Sequence, residues 1–182
     1  MDGLYYRGRL NYFYMNIEKY KKDISKIGCC QEGHDVLSKK IDSLLDLFNL
    51  YDRYADYLFV NNYPSNSRVA NVFSPIPDNN IYLDTNFELN NVANIKIIGK
   101  SKGILRLDKC ISRIHIKDDS ILTVKAFCCK VIRVFACGNS KVFLNVANNT
   151  TIHLYKEQNA SVIIEKQCHS SKIKHFNNGN IF

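Results

Sequence analysis

Three stretches, GNSKVFLN (138–145), NNTTIHLY (148–155) and QNASVIIE (158–165), decide how this chain folds. Each opens on two turn-forming residues. A small residue follows at the third place (Ser140, Thr150, Ala160) and a β-branched one at the fifth (Val142, Ile152, Val162). The seventh place is again aliphatic, with Leu144, Leu154 and Ile164. Side chains alternate across a strand, so these three places share one face. A small residue beside a corner and a larger one mid-strand suit a narrow, flattened core.

Outward from these stretches the same template fits nine times. The units begin at Asn91, Lys100, Cys110, Asp118, Phe127, Gly138, Asn148, Gln158 and His169, eight to eleven residues apart. The fifth place is apolar in every unit: Ile95, Ile104, Ile114, Leu122, Val131, Val142, Ile152, Val162 and Ile173. The third is small at Ala93, Ser112, Ser120, Cys129, Ser140, Thr150, Ala160 and Ser171, with Lys102 the exception. Arg106, Arg133 and His175 interrupt the apolar seventh place. A unit this short cannot bury its own inner face, and stacking on its neighbours solves that. Two units to a coil predict a short parallel β-solenoid of about four to five coils. An antiparallel meander also alternates with short turns. It has no reason to hold the same residue size at the same phase in every unit.

The three clearest units resemble the octapeptide-like repeats of Asn-Ala-Thr-Val-x-Ala type found in proteins of Bacteroidetes and their phages. The resemblance covers about half of the chain. It departs from that pattern in its irregular spacing and bulky seventh places. It implies a solenoid fold and a phage or mobile-element setting, and no activity. A composition rich in Asn, Lys, Ile and Tyr suits an AT-rich genome.

The first half reads differently. Asn16 can cap a helix running to about Ile27, which Gly28 ends. A stronger helix is predicted from about Asp35 to Leu58 on the stripe Leu37, Ile41, Leu44, Leu45, Phe48, Tyr51, Ala55 and Leu58, widened by Leu47, Leu50 and Tyr54. Lys39, Asp42, Asp46, Asn49 and Arg53 form its solvated face. From Asn61 to Asn80 turn and breaker residues take over, among them Pro64, Pro75 and Pro77, and Ile81-Tyr82-Leu83 is a candidate first short strand. The expected fold class is therefore α+β. N-terminal helices occupy 1–60, a linker or crossing segment 61–90, and the β-solenoid repeat domain 91–182.

An apolar fraction of 46% and a charged fraction of 23% are ordinary for a soluble globular chain. No apolar run approaches the roughly 18–20 residues of a bilayer span, and no secretory signal is read at the N-terminus. A cytoplasmic place in a bacterial host, or a virion-associated one, is expected, with no membrane partner. Seven cysteines then read as free, mostly buried thiols in a reducing compartment. Asn149-Thr150-Thr151 and Asn159-Ala160-Ser161 match glycosylation acceptors, but the repeat's own turns explain them better.

Charge is unevenly shared. Residues 1–90 carry 10 Lys and Arg against 12 acids, and residues 91–182 carry 15 against 5. The basicity belongs to the repeat, where position four of each unit points outward. Arg113, Lys130, Thr151 and Lys172 are expected to form one column, with Lys141 on the other sheet. Lys117, Lys125, Lys96 and Lys174 add outward charge. Such a face suits a polyanion, either nucleic acid or an anionic glycan; a solvated surface that keeps sheet edges from pairing is the plainer alternative.

No phosphate-cradling glycine loop, Gly-x-Ser-x-Gly elbow or His-Glu-x-x-His pair is present. Cys168, His169 and His175, joined by Cys137 or by Cys29 and Cys30, lack the ligand spacing of a zinc site. No cofactor and no metal is expected. The reading is a non-enzymatic structural or interaction protein, with a protein partner or self-association. Its rivals are a nucleic-acid-binding module and an enzyme whose site forms only between chains.

Overall fold

The structure, a computed structural model, describes residues 43–60, 73, 79–157 and 159–176. The chain divides into two compact units, 1–78 and 79–182. In the first, helices α1 (Leu44–Arg53) and α2 (Ala55–Val60) are described. Ser43 is extended (φ −137°, ψ 161°) and its Oγ accepts the Asp46 N–H at 3.0 Å, so the helix begins there. This corrects the unbroken helix expected from Asp35. The expected helix over 16–27 and the stretch 35–42 lie outside the described residues.

The buried face of this helix pair lies within the predicted stripe as widened by Leu47 and Leu50, with Leu45 the exception. Leu47, Leu50, Tyr51, Ala55 and Leu58 are buried, whereas Leu45 is 54% exposed. Phe73 fixes that face: its ring lies 5.3 Å from Phe48 and 5.4 Å from Tyr51, centroid to centroid. Burial, and then the neighbouring Asp52 carboxylate, push the Tyr51 phenol above its usual pKa.

The second unit is a parallel β-solenoid. Its strands are β1 (Ile81–Leu83), β2 (Asn86–Asn90), β3 (Asn94–Ile98), β4 (Lys102–Asp108), β5 (Ile111–Ile116), β6 (Ile121–Phe127), β7 (Val131–Ala136), β8 (Lys141–Ala147), β9 (Thr151–Lys156), β10 (Ser161–Gln167) and β11 (Lys172–Phe176). Odd strands form a six-stranded sheet in the order β1-β3-β5-β7-β9-β11, and even strands a five-stranded sheet in the order β10-β8-β6-β4-β2. Every pairing is parallel. Each of the nine repeats delivers one strand, β3 to β11, and the meander alternative falls. Strand pairing starts before Asn91: β1 and β2, from the stretch read as a linker or crossing segment, pair with β3 and β4.

The core lies between the two sheets. Ile95, Ile114, Leu122, Val142 and Ile152, all at the fifth place, are fully buried in it. Burying an aliphatic side chain of this size is worth about 1.5–3 kcal/mol. Two units sit out of phase. In the second, Ser101, Leu105 and Leu107 are buried while Ile104 faces outward. The corner begins at Gly99 (φ +73°), one residue earlier than predicted, which explains both Lys102 and Arg106 as apparent exceptions. In the fifth, Ile132, Val134 and Ala136 turn inward instead of Val131. The extra residue is spent in the corner at Cys128 (φ +52°).

The small third residue does more than fit. Ser101, Ser112, Ser120, Thr150 and Ser171 are buried, and their hydroxyls donate to corner carbonyls: Ser112 to Val92 O at 2.6 Å, Ser120 to Gly99 O at 3.0 Å, Thr150 to Ala147 O at 2.7 Å, Ser171 to Cys168 O at 2.6 Å. A buried carbonyl left without a partner would cost about 1–3 kcal/mol. Carboxylates brace one line of corners. Asp84 accepts the Lys100 N–H (2.7 Å), Asp118 that of Gly99 (2.9 Å) and Glu157 that of Gly138 (3.0 Å). Gly138 has φ +61°, and a Cβ there would lie 3.1 Å from the Asp118 backbone nitrogen, which suits glycine.

The two ends of the stack differ. At one, Phe87 lies over Gly103, where any Cβ would run into its ring, and the Tyr82 ring packs on Phe87 with centroids 4.5 Å apart and planes tilted by 37°. At the other, Val162 and Ile173 are only partly buried and Ile164 is 43% exposed. A bulge between Ile164 and Lys166 bends the last even strand and places Glu165 and Lys166 on the outermost edge, features that discourage pairing with a further strand.

Candidate polyanion-binding face

Register decides which outward side chains meet. In the six-stranded sheet Asn94 pairs with Arg113, Arg113 with Arg133, Arg133 with His153, and His153 with Lys174. Strands are about 4.8 Å apart, so four basic residues form a row along the stacking direction. Arg133 and Lys174 are exposed, and Arg113 and His153 half-buried. The imidazole of His153 is held below its ordinary pKa, first by burial and then by Lys174 and Arg133 on either side. Beside it runs a second row, in which Ile111 pairs with Val131 and Thr151 with Lys172.

On the other flank His115, Phe135, Tyr155 and Phe176 stack ring on ring. Centroids are 4.9, 4.6 and 4.9 Å apart and ring planes 13°, 5° and 20° from parallel. Stacked aromatics of this kind stiffen neighbouring rungs by about 0.5–1.5 kcal/mol a pair. Their faces are spent on one another, so the ladder is a spine for the basic row and offers few faces on which bases could stack.

The six residues singled out in the sequence do not share one face. Arg113 belongs to the row. Lys172 is exposed in the neighbouring row, opposite Thr151. Lys130 is exposed in the corner before β7 and pairs with none of them. The longer corner at Cys128 is the reason, since it brings Arg133 to the place expected for Lys130. Lys125 and Lys141 are exposed on the five-stranded sheet. Lys117 is buried at the end of β5, and burial lowers its pKa against the opposing pull of Asp118, Cys137 and Glu157. Lys96, expected to add outward charge, is 1% exposed. Strand phase tells which side of a sheet a residue faces, not what packs there.

Arg133 and His153 were missed, and Lys174 was read only as added outward charge and not as a member of this row, although a signal was present. Arg113, Arg133 and His153 recur every 20 residues, with Lys174 21 further on, which is the length of one coil. Arg133 looked like a flaw in the apolar pattern when it was a member of an outward one.

The five-stranded sheet carries its charge differently. Lys102, Ile121, Lys141 and Ser161 form one row, and Asn90, Arg106, Lys125, Asn145 and Lys166 another. Acids interrupt this face: Arg106 is bridged to Glu88 at 2.7 Å, and Asn145 donates to Glu165 at 2.6 Å. An open depression of about 520 Å³ is lined by Asn86, Phe87, Lys102, Gly103, Ile104, Ile121 and Thr123. Lys102 is its one titratable side chain, which leaves an acid–base pair unsupplied.

Five cysteines are described, all as free thiols. Cys129 is buried and Cys128 half-buried, but both lie in a corner rather than in a strand. Among the described residues no group of three or more His, Cys, Asp or Glu is placed to hold a metal ion, and no helix is long and apolar enough to cross a membrane. Cys29 and Cys30 lie outside the described residues. Comparison with protein-family models, with characterised proteins and with solved structures finds no match to the chain.

Proposed function

We propose that the protein is a non-enzymatic interaction module whose solenoid presents the basic row of the six-stranded sheet to a linear polyanion lying along the stack. The observation that carries this reading is the alignment of Arg113, Arg133, His153 and Lys174 on successive rungs. Like charges directly opposite across strands are destabilising. Asp118 and Glu157 accept hydrogen bonds from corner amides. An anionic chain would relieve that repulsion, to which Lys174 and Arg133 contribute at His153 after burial in lowering its pKa. A role as a structural component of a phage or mobile element, with a protein partner or self-association, fits the same rigid scaffold and the repeat pattern.

Titration of a fluorescent single-stranded oligonucleotide, and separately of a sulfated glycan, at several salt concentrations tests this. Neutralising three phosphates of a single strand predicts a slope of log K against log salt of about −2. Reversing charge in Arg133→Glu with Lys174→Glu should abolish salt-sensitive binding to both. Reversing Lys125 and Lys141 on the other sheet should change it little. Equal losses from the two pairs, or no binding by the parent, would overturn the proposal.

A further inference from the structure

Cys110 and Cys129 stand on adjacent rungs, immediately before β5 and just before β7, with their sulfurs 3.8 Å apart. Rungs are about 4.8 Å apart, inside the roughly 4.4–6.8 Å between Cα atoms that a disulfide spans. Side-chain rotation has only to bring the sulfurs to about 2.05 Å. The two thiols differ in access. Cys110 is part-exposed, and Cys129 is fully buried, with its thiol donating to Phe127 O at 3.4 Å. We propose that this pair is a redox-modification site that a low-molecular-weight disulfide, such as glutathione disulfide, converts to an intrachain disulfide joining β5 and β7.

The asymmetry sets the order of steps. Cys110 loses its proton, attacks one sulfur of the oxidant and releases one glutathione thiolate, leaving a mixed disulfide on Cys110. Cys129 then loses its proton, attacks the Cys110 sulfur and releases the second glutathione. Two protein thiols are oxidised by two electrons in all, and one glutathione disulfide is reduced to two glutathiones. Only a thiolate attacks. Burial, and next the Cys129 sulfur, push the Cys110 thiol up to about 11, so the reaction is slow at neutral pH and should quicken about tenfold per pH unit below that value. Cys168 is the opposite case: hydrogen bonds from Ser170 lower its pKa, but its sulfur sits beside Ser170 Oγ (3.6 Å) and Asn148 Oδ1 (3.8 Å) rather than a second thiol. It should stop at the mixed disulfide.

The test incubates the full chain with glutathione disulfide, alkylates remaining thiols in denaturant, and maps tryptic peptides without reduction. Cys128 would confuse the mapping. Cys128→Asn removes it and keeps a residue that tolerates its φ of +52°, as Asn148 does at +41°. The expected result is a peptide linked through Cys110 and Cys129, with a thermal midpoint raised by roughly 10 °C over the reduced protein. Cys129→Ser should trap a glutathionyl group on Cys110, and Cys110→Ser should leave Cys129 unmodified. Should Cys129→Ser fold poorly, the linked peptide in Cys128→Asn decides alone. Cys110 recovered as an alkylated thiol, as a lasting mixed disulfide in Cys128→Asn, or linked elsewhere overturns the proposal. So does a linked protein that melts no higher than the reduced one.

Discussion

Replacing Leu105 by alanine should destabilise the solenoid several times more than replacing its neighbour Ile104. Leu105 is fully buried, in register between Leu89 and Val124. Ile104 is half-exposed on the outer face between Glu88 and Thr123. Shortening a leucine to alanine removes transfer free energy of about 0.8 kcal/mol per buried methylene, roughly 2.4 in all. The cavity adds more, because the rungs on both sides are held by ladder hydrogen bonds and cannot close over it, so about 4 kcal/mol is expected. Ile104→Ala should cost about 1 kcal/mol, since that side chain lies outside the core and is only partly buried. At about 4–8 °C per kcal/mol for a domain near 100 residues, the melting points of the two variants should differ by more than 10 °C. Urea unfolding followed by far-ultraviolet circular dichroism gives the same comparison, provided the slopes agree. An Ile104→Ala variant as damaged as Leu105→Ala would refute the shifted phase of this unit.

Other consequences are simpler to state. Because His153 has a depressed pKa in the folded protein, the unfolded chain takes up its proton first; that contribution to stability is intact above about pH 6.5 and is lost as pH falls below it. Lys174→Gln should move the His153 titration upward, read from its ring proton shifts by NMR, and bound polyanion should do the same in the parent. Gly138→Ala should cost about 1–2 kcal/mol through its positive φ alone, more if the Asp118 backbone does not yield, as a urea midpoint would show. Ser112→Ala removes the donor to Val92 O and should cost about 1–3 kcal/mol, whereas Ser161→Ala, at the half-buried, outward-facing start of β10, should be near neutral.

Much of the solenoid is legible because its core repeats a steric rule. Ile95, Ile114, Leu122, Val142 and Ile152 keep one phase since each must fill the same slot between two sheets. What blurs the reading is the corner. A residue added or dropped where φ is positive, at Gly99 or Cys128, flips the following strand, and no propensity distinguishes Ile104 from Leu105 as the inward one. The same slip hid the candidate site, because Arg113 and Arg133 become neighbours only after the corner between them is counted correctly. Burial of Lys96, His115 and Lys117 was illegible for another reason. It depends on what packs against the outer face, and strand alternation carries no information about that. The start of the stack was obscured by Asn86 and Asn90, which look like turn residues although Phe87 and Leu89 between them supply the inward face.

The parallel register is the claim on which the basic row, the aromatic ladder and the cysteine pair all depend. Interstrand amide and side-chain nuclear Overhauser effects in the isotope-labelled protein test it directly. Residues 113, 133 and 153 should show contacts one to the next, as should 115, 135 and 155. Contacts linking β5 to β6 in opposite directions, with residues near 116 meeting those near 121, would contradict it.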